Sequence, residues 1–214
     1  MGKKKYQDKI RSLFEKSPVV AFNSIKMIVN DKKNVKQYAK QIIRNLIKQN
    51  KIRKITKGFY TIHEDPSLIV FCFKPSYLGV QNAMSFHNLW EQETVPIILT
   101  ARNVRSGRRE VFGANVIVRK IDKKYLFGFE YYNDGDFYFP YSDIEKTFID
   151  MVYFRQPLDA EVISNFKEKI DRKKLAEYLK KYSERFRKKI KKLLKNSQSH
   201  RSLMLTSEQA LGYL

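Results

Sequence analysis

A chain of 214 residues fits two compact units or one elaborated domain, and 43% hydrophobic with 14% aromatic residues excludes a chain too polar to collapse. The 43 Lys and Arg against 22 Asp and Glu give a net charge of +21, unevenly spread: residues 1–65 hold 17 basic and 5 acidic side chains (+12), residues 66–157 hold 11 and 10 (+1), and residues 158–214 hold 15 and 7 (+8). Two basic ends around a neutral middle point to a polyanionic partner, nucleic acid or an anionic membrane surface, whereas a generally lysine-rich surface would not leave the middle neutral.

The single cysteine, Cys72, excludes an internal disulfide and a cysteine-rich zinc site, and its place in the apolar run 68–73 reads as core. The start MGKKKYQDK lacks the apolar stretch of a signal peptide, and no run of 18 apolar residues occurs. The expectation is a soluble cytoplasmic protein with no membrane partner.

From Lys5 to Lys16, Tyr6, Ile10, Leu13 and Phe14 fall on one helical face, and Ser17-Pro18 ends the helix. Asn23 is placed to cap a short helix over 24–29, and Asn30 to Lys33 forms a turn. Asn34 and Gln37 have capping-box spacing for a third helix, whose apolar stripe is Val35, Tyr38, Ala39, Ile42, Ile43, Leu46 and Ile47. Two apolar-basic runs, 52–55 and 59–62, joined by Thr56-Lys57-Gly58, read as a β-hairpin. Three helices followed by a basic hairpin is the order of a winged helix-turn-helix.

After Asp65-Pro66 the composition shifts. A buried strand is expected over 68–73, a helix over 78–90, and strands over 95–101, 111–113, 115–121, 126–132 and 137–139, forming one antiparallel sheet. Ser142 is expected to cap a helix through Phe154, Asp159 one over 160–170, and Asp171 a last long helix stepping through Leu175, Leu179, Tyr182, Phe186, Ile190 and Leu193. The outer face of that helix carries Lys180, Lys181, Arg185, Arg187, Lys188, Lys189, Lys191 and Lys192, either a solvated face or a second polyanion contact. Residues 196–202 read as flexible, and Thr206 with Gln209 can cap a final turn.

The fold class expected is therefore α+β: a winged helix-turn-helix over 1–65, a mixed antiparallel sheet-and-helix domain with basic C-terminal helices over 66–195, and a flexible tail or short terminal helix over 196–214. The third helix turns Gln37, Lys40, Gln41, Arg44 and Lys48 away from its apolar stripe, with Lys36 beside them, and Lys51, Arg53, Lys54 and Lys57 follow on the wing. Arginine and glutamine can pair with guanine and adenine edges, and lysines can neutralise phosphates, so these ten residues are the candidate DNA contacts. Lys3, Lys4 and Lys5 make either a flexible arm or a solvated end.

Catalytic signals are sparse. His63, His87 and His200 lack metal-ligand spacing, and no Gly-rich phosphate loop or nucleophile elbow occurs. Asp134-Gly135-Asp136 resembles spaced metal-binding carboxylates but suits a hairpin turn better, and Asp143, Glu145 and Asp150 suit the start of a helix. No catalytic residue, metal or cofactor is expected.

The run LIKQNKIRKITKGFYTI, residues 46–62, resembles the helix-to-wing passage of AbiEi-type antitoxins of type IV toxin-antitoxin systems. VQNAMSFHNLW (80–90) is similar to a later helix of that family, and SDIEKTFIDMVYF (142–154) to its Glu-Lys-x-x-x-Asp helix. Asn88-Leu89 and Pro140-Tyr141 stand where the family has Gly-Leu and Ala-Pro. The resemblance implies an antitoxin that represses its own promoter, binding duplex DNA at an operator, an inverted repeat being one form, with a nucleotidyltransferase-like toxin as functional counterpart. A stand-alone winged-helix transcription factor shares these features, and an RNA-binding module or a nucleic-acid enzyme remain as rivals.

Overall fold

The computed structural model describes residues 2–196; His200 and the Thr206–Gln209 cap lie outside the described residues. The chain opens with α1 (Gly2–Lys16), β1 (Val20–Ala21), α2 (Phe22–Ile28), α3 (Val35–Lys48) and the hairpin β2 (Arg53–Thr56) and β3 (Phe59–Thr61). Lys3 to Lys5 lie within α1, so they are not the free arm that the sequence left open. Tyr6, Ile10 and Phe14 of α1 meet Ile25, Val29, Ala39, Ile43 and Ile52 in one core.

Neither asparagine caps its helix through its side chain: α2 begins one residue before Asn23, at Phe22, and the Asn34 side chain makes no cap bond. The chain runs straight into α2 from β1, which pairs with β3, and the Phe22 N–H donates to the Gly58 carbonyl at 2.8 Å. Pairing with the hairpin thus satisfies a helix-start donor that a cap would otherwise serve. Gly58 has φ +81°, the left-handed conformation the tight turn needs.

Residues Pro66–Phe73 form a 3-10 helix rather than the expected strand. The Asp65 side chain accepts from the Ser67 N–H at 2.7 Å and Pro66 fixes the first φ, while Leu68, Ile69, Val70, Cys72 and Phe73 are all buried. An apolar run buried on every side carries no periodicity to separate the two conformations.

A helix over 78–90 is also corrected. Ser76–Leu78 is strand β4, and α4 covers only Gln81–Phe86. At Gly79 a Cβ would lie 2.6 Å from Leu99 Cδ1, so the chain passes the neighbouring strand too closely for a side chain, and Val80 takes φ +55° as the helix begins.

Five further strands complete a six-stranded sheet with β4: β5 (Ile97–Thr100), β6 (Gly107–Val111) hairpinned to β7 (Ala114–Lys120), and β8 (Phe129–Asp134) hairpinned to β9 (Phe137–Ser142). The spatial order is β6-β7-β5-β4-β9-β8. The sheet is mixed, not wholly antiparallel: β5 pairs β7 and β4 pairs β9 in parallel. Each hairpin inserts its second strand toward the centre and leaves its first at the edge, which reverses the direction met by β5 and β4. The central strands β4 and β5 are buried along their whole length because both faces are covered: Tyr77, Ile97 and Leu99 face one core and Leu78 and Ile98 the other.

One face carries the 3-10 segment together with Ile55, Val19 and Phe59 of the first 65 residues. The other carries α5 (Ile144–Tyr153), α6 (Ala160–Lys169), α7 (Arg172–Leu179) and α8 (Glu184–Asn196). Asp143 caps α5, not Ser142; Asp159 and Asp171 cap α6 and α7 as expected. The expected last helix is two, because Ser183 restarts it as α8, its Oγ accepting from the Phe186 N–H at 3.4 Å, while Tyr182 stacks on Tyr125 at 4.3 Å between ring centres. The molecule is thus α+β, and among the described residues no helix is long and apolar enough to cross a membrane.

Candidate nucleic-acid interface

The α3 face follows from helical geometry. With about 100° between residues, Gln37, Gln41, Arg44 and Lys48 span about 60°, Lys40 sits at one edge, and Lys36 lies farther round. Ala39 and Ile43 hold the opposite side in the core. All six side chains are exposed.

Lys51, Arg53, Lys54 and Lys57 are exposed as well, while Ile52 and Ile55 between them are buried. Inward isoleucines fix the hairpin and outward cations meet solvent, with the two-residue alternation of a strand broken at the register shift between Lys54 and Thr56. Arg53 pairs with Glu64, whereas none of the other nine side chains is in an ion pair among the described residues. The ten sequence-predicted residues are therefore brought onto one helix and the strand pair that directly follows it.

The sequence did not single out Lys26, Met27 and Asn30. With Asn23, Val35 and Lys36 they line a depression of about 460 Å³ at the start of α3. Met27 is 75% exposed, which its apolar character does not announce. The helical stripe of α2 provides the signal, since burying Ile25 and Val29 turns residue 27 outward.

The acidic candidates are accounted for structurally. Asp134 ends β8 and Asp136 follows Gly135, φ +62°, in the two-residue turn to β9, and Tyr141 Oη donates to Asp134 Oδ2 at 2.7 Å. Asp143 accepts from the Lys146 N–H at 2.8 Å and from Tyr178 Oη at 2.7 Å, and pairs with Lys174 at 3.1 Å. Glu145 accepts from the Asp171 N–H at 2.7 Å. Asp150 is not at the start of the helix but one turn beyond Lys146, and these two form a fully buried ion pair to which Tyr77 Oη donates at 2.7 Å. Burial pushes the Asp150 carboxyl up and the Lys146 ammonium down, and each partner's charge opposes the shift. Among the described residues no three His, Cys, Asp or Glu side chains cluster to hold a metal.

His87 is a partly buried imidazole with a hydrogen-bond partner. Its Nε2 bonds the Ser142 carbonyl at 2.7 Å, and burial lowers its pKa despite that bond. His63 meets Phe137 edge to face at 4.7 Å, joining the end of the hairpin to β9. Burial in the core pushes the Cys72 thiol up to about 12, partly offset by Arg102. Segments 80–90 and 142–154, remote in sequence, meet through the His87–Ser142 bond.

No family model matches the chain, and no curated protein matches it. Among solved structures it is similar to the crystal structure of RV2827C protein from Mycobacterium tuberculosis, at 12% identity with a TM-score of 0.55, covering 90% of this chain and 77% of that one. At that identity the likeness is one of fold.

Proposed function

We propose that residues 1–65 act as a winged helix-turn-helix that binds duplex DNA, with α3 entering the major groove and the β2–β3 hairpin serving as the wing. The observation that carries this reading is the joint exposure of Gln37, Gln41 and Arg44 on one face of α3 and of Lys51, Lys54 and Lys57 on the hairpin beside it. The first set supplies the paired donors and acceptors that read base edges; the second supplies point charges suited to phosphates.

The protein is on this reading a cytoplasmic transcriptional regulator and not an enzyme. The similarity of residues 80–90 and 142–154 to AbiEi-type antitoxins extends it to an autorepressor whose functional counterpart is a nucleotidyltransferase-like toxin. The contact between those two segments supports treating them as one structural motif.

Binding titrations on an operator selected from random duplexes, and on a scrambled duplex, test the recognition role. Arg44→Ala or Gln37→Ala is expected to weaken the selected site more than the scrambled one, by about 1–3 kcal/mol for each lost paired contact. If both variants keep the wild-type ratio, α3 is not the reading helix.

A further inference from the structure

Helices α7 and α8 and the end of α6 border an open groove of about 590 Å³, on a different part of the molecule from α3 and the hairpin. Its floor is aliphatic: Ile170, Leu175, Leu179, Ile190 and Leu194. Its rim is cationic: Lys167, Arg172, Arg187, Lys191 and Lys195, with no carboxylate in the lining. Lys180, also on the rim, differs in having a carboxylate partner, Glu177, at 2.6 Å. Lys188, one residue from Arg187 but off the rim, likewise pairs with Glu184 at 2.8 Å. Five of the six rim cations are thus in no ion pair among the described residues, Lys180 being the exception.

Two rim nitrogens are also covered without being satisfied. Lys167 Nζ and Arg187 Nε are buried and make no hydrogen bond. Burial, reinforced by the charge of Arg172, pushes the Lys167 pKa down. A desolvated donor without an acceptor costs free energy that an incoming carboxylate would recover.

The combination selects among anionic partners. A nucleic acid offers phosphates but no aliphatic surface, and the floor has no aromatic ring on which a base could stack. A lipid surface takes up apolar side chains that project, but here Ile170, Leu175, Leu179 and Ile190 are buried between the helices, the reverse of a helix lying in a membrane interface. From Arg172 to Lys180 and from Arg187 to Lys195 the rim runs about 12 Å along each helix at about 1.5 Å per residue, the length of two helical turns.

We propose that this groove docks an acidic amphipathic helix of a partner protein, its aliphatic side chains seated between α7 and α8 and its carboxylates on Lys167, Arg172, Arg187, Lys191 and Lys195. Recognition is of the helix-in-groove kind, with anchors spaced i, i+3 or i+4, and i+7. The proposal is independent of duplex binding by α3.

The test uses full-length protein and a fluorescein-labelled 14-residue peptide with leucines on one helical face and glutamates on the other, read by anisotropy. A scrambled peptide of the same composition, anionic phosphatidylserine vesicles and a 20-base-pair duplex serve as competitors. The amphipathic peptide is expected to bind at least tenfold more tightly than the scrambled one. Arg187→Glu with Lys191→Glu should weaken it at least tenfold. Ala176→Trp, at an exposed lining position, should do the same by filling the floor without disturbing the fold, and should leave duplex binding unchanged. Equal binding of both peptides, insensitivity to Ala176→Trp in a variant with wild-type circular dichroism, or displacement of the peptide by duplex or vesicles more readily than by unlabelled peptide would each overturn the proposal.

Discussion

Asp150→Asn isolates the most buried charge in the molecule. Lys146 and Asp150 side chains are both fully inaccessible, and without the carboxylate's charge Lys146 Nζ keeps only neutral acceptors, the amide oxygen of the substituted side chain and the Tyr182 hydroxyl at 3.5 Å. Breaking a buried ion pair from one side costs about 3–5 kcal/mol, against a total stability of about 5–15 kcal/mol. The stranded ammonium can escape by losing its proton, and this sets a pH signature. In the folded variant the charge of Asp150 no longer opposes burial, so the Lys146 pKa falls further, whereas in the unfolded chain it keeps its proton up to about pH 10.4. The unfolded state then binds more protons, so the variant gains stability as pH rises, by up to about 1.4 kcal/mol per unit. Urea unfolding followed by the fluorescence of the single tryptophan, Trp90, should show the deficit at pH 7 shrinking toward pH 9. The paired replacement Lys146→Met with Asp150→Leu should recover most of the loss, because no charge remains buried. An Asp150→Asn deficit below about 1 kcal/mol, or one that does not change between pH 7 and 9, would show that Lys146 is not a stranded buried charge in the variant.

Gly128 tests the same region from the backbone. Its φ is +68° and an added Cβ would lie 2.9 Å from Lys146 Cβ, so Gly128→Ala should cost at least about 1–3 kcal/mol in the same unfolding assay. Asp134→Ala with Asp136→Ala should leave duplex binding at the wild-type level and reveal no magnesium- or manganese-dependent nucleotide turnover; turnover in the wild type that this pair abolishes would replace the turn reading with a catalytic one.

Where the sequence carried periodicity, it was legible. The stripe Val35 to Ile47 and the isoleucines at 52 and 55 place α3 and the hairpin, and every candidate contact residue comes out exposed. Legibility fails where burial is all-round or long-range packing decides. Pro66–Phe73 is apolar at nearly every position, so its 3-10 geometry leaves no pattern. The parallel pairings of β4 with β9 and β5 with β7 join segments far apart in the chain, and pairing direction leaves no mark on composition. Asp150 read as a helix-start carboxylate because its tie to Tyr77, 73 residues away, is visible only once the sheet and α5 are packed. The restart at Ser183 was within reach: a serine followed by Glu184 in the first turn of a helix is a start signal, masked by the continuous apolar step through Tyr182 and Phe186.

If α3 and the hairpin bind duplex DNA through exposed cations, as proposed, that binding must weaken as salt rises. Each phosphate neutralised contributes roughly −0.9 to the slope of log K against log salt, so removing one contact should flatten the slope by about one unit. Titrations of wild type and Lys57→Ala on one duplex at several salt concentrations should give a steep slope for the wild type, a slope about one unit shallower for the variant, and equal losses on selected and scrambled duplexes. A wild-type affinity that does not fall with salt would rule out duplex binding through these cations.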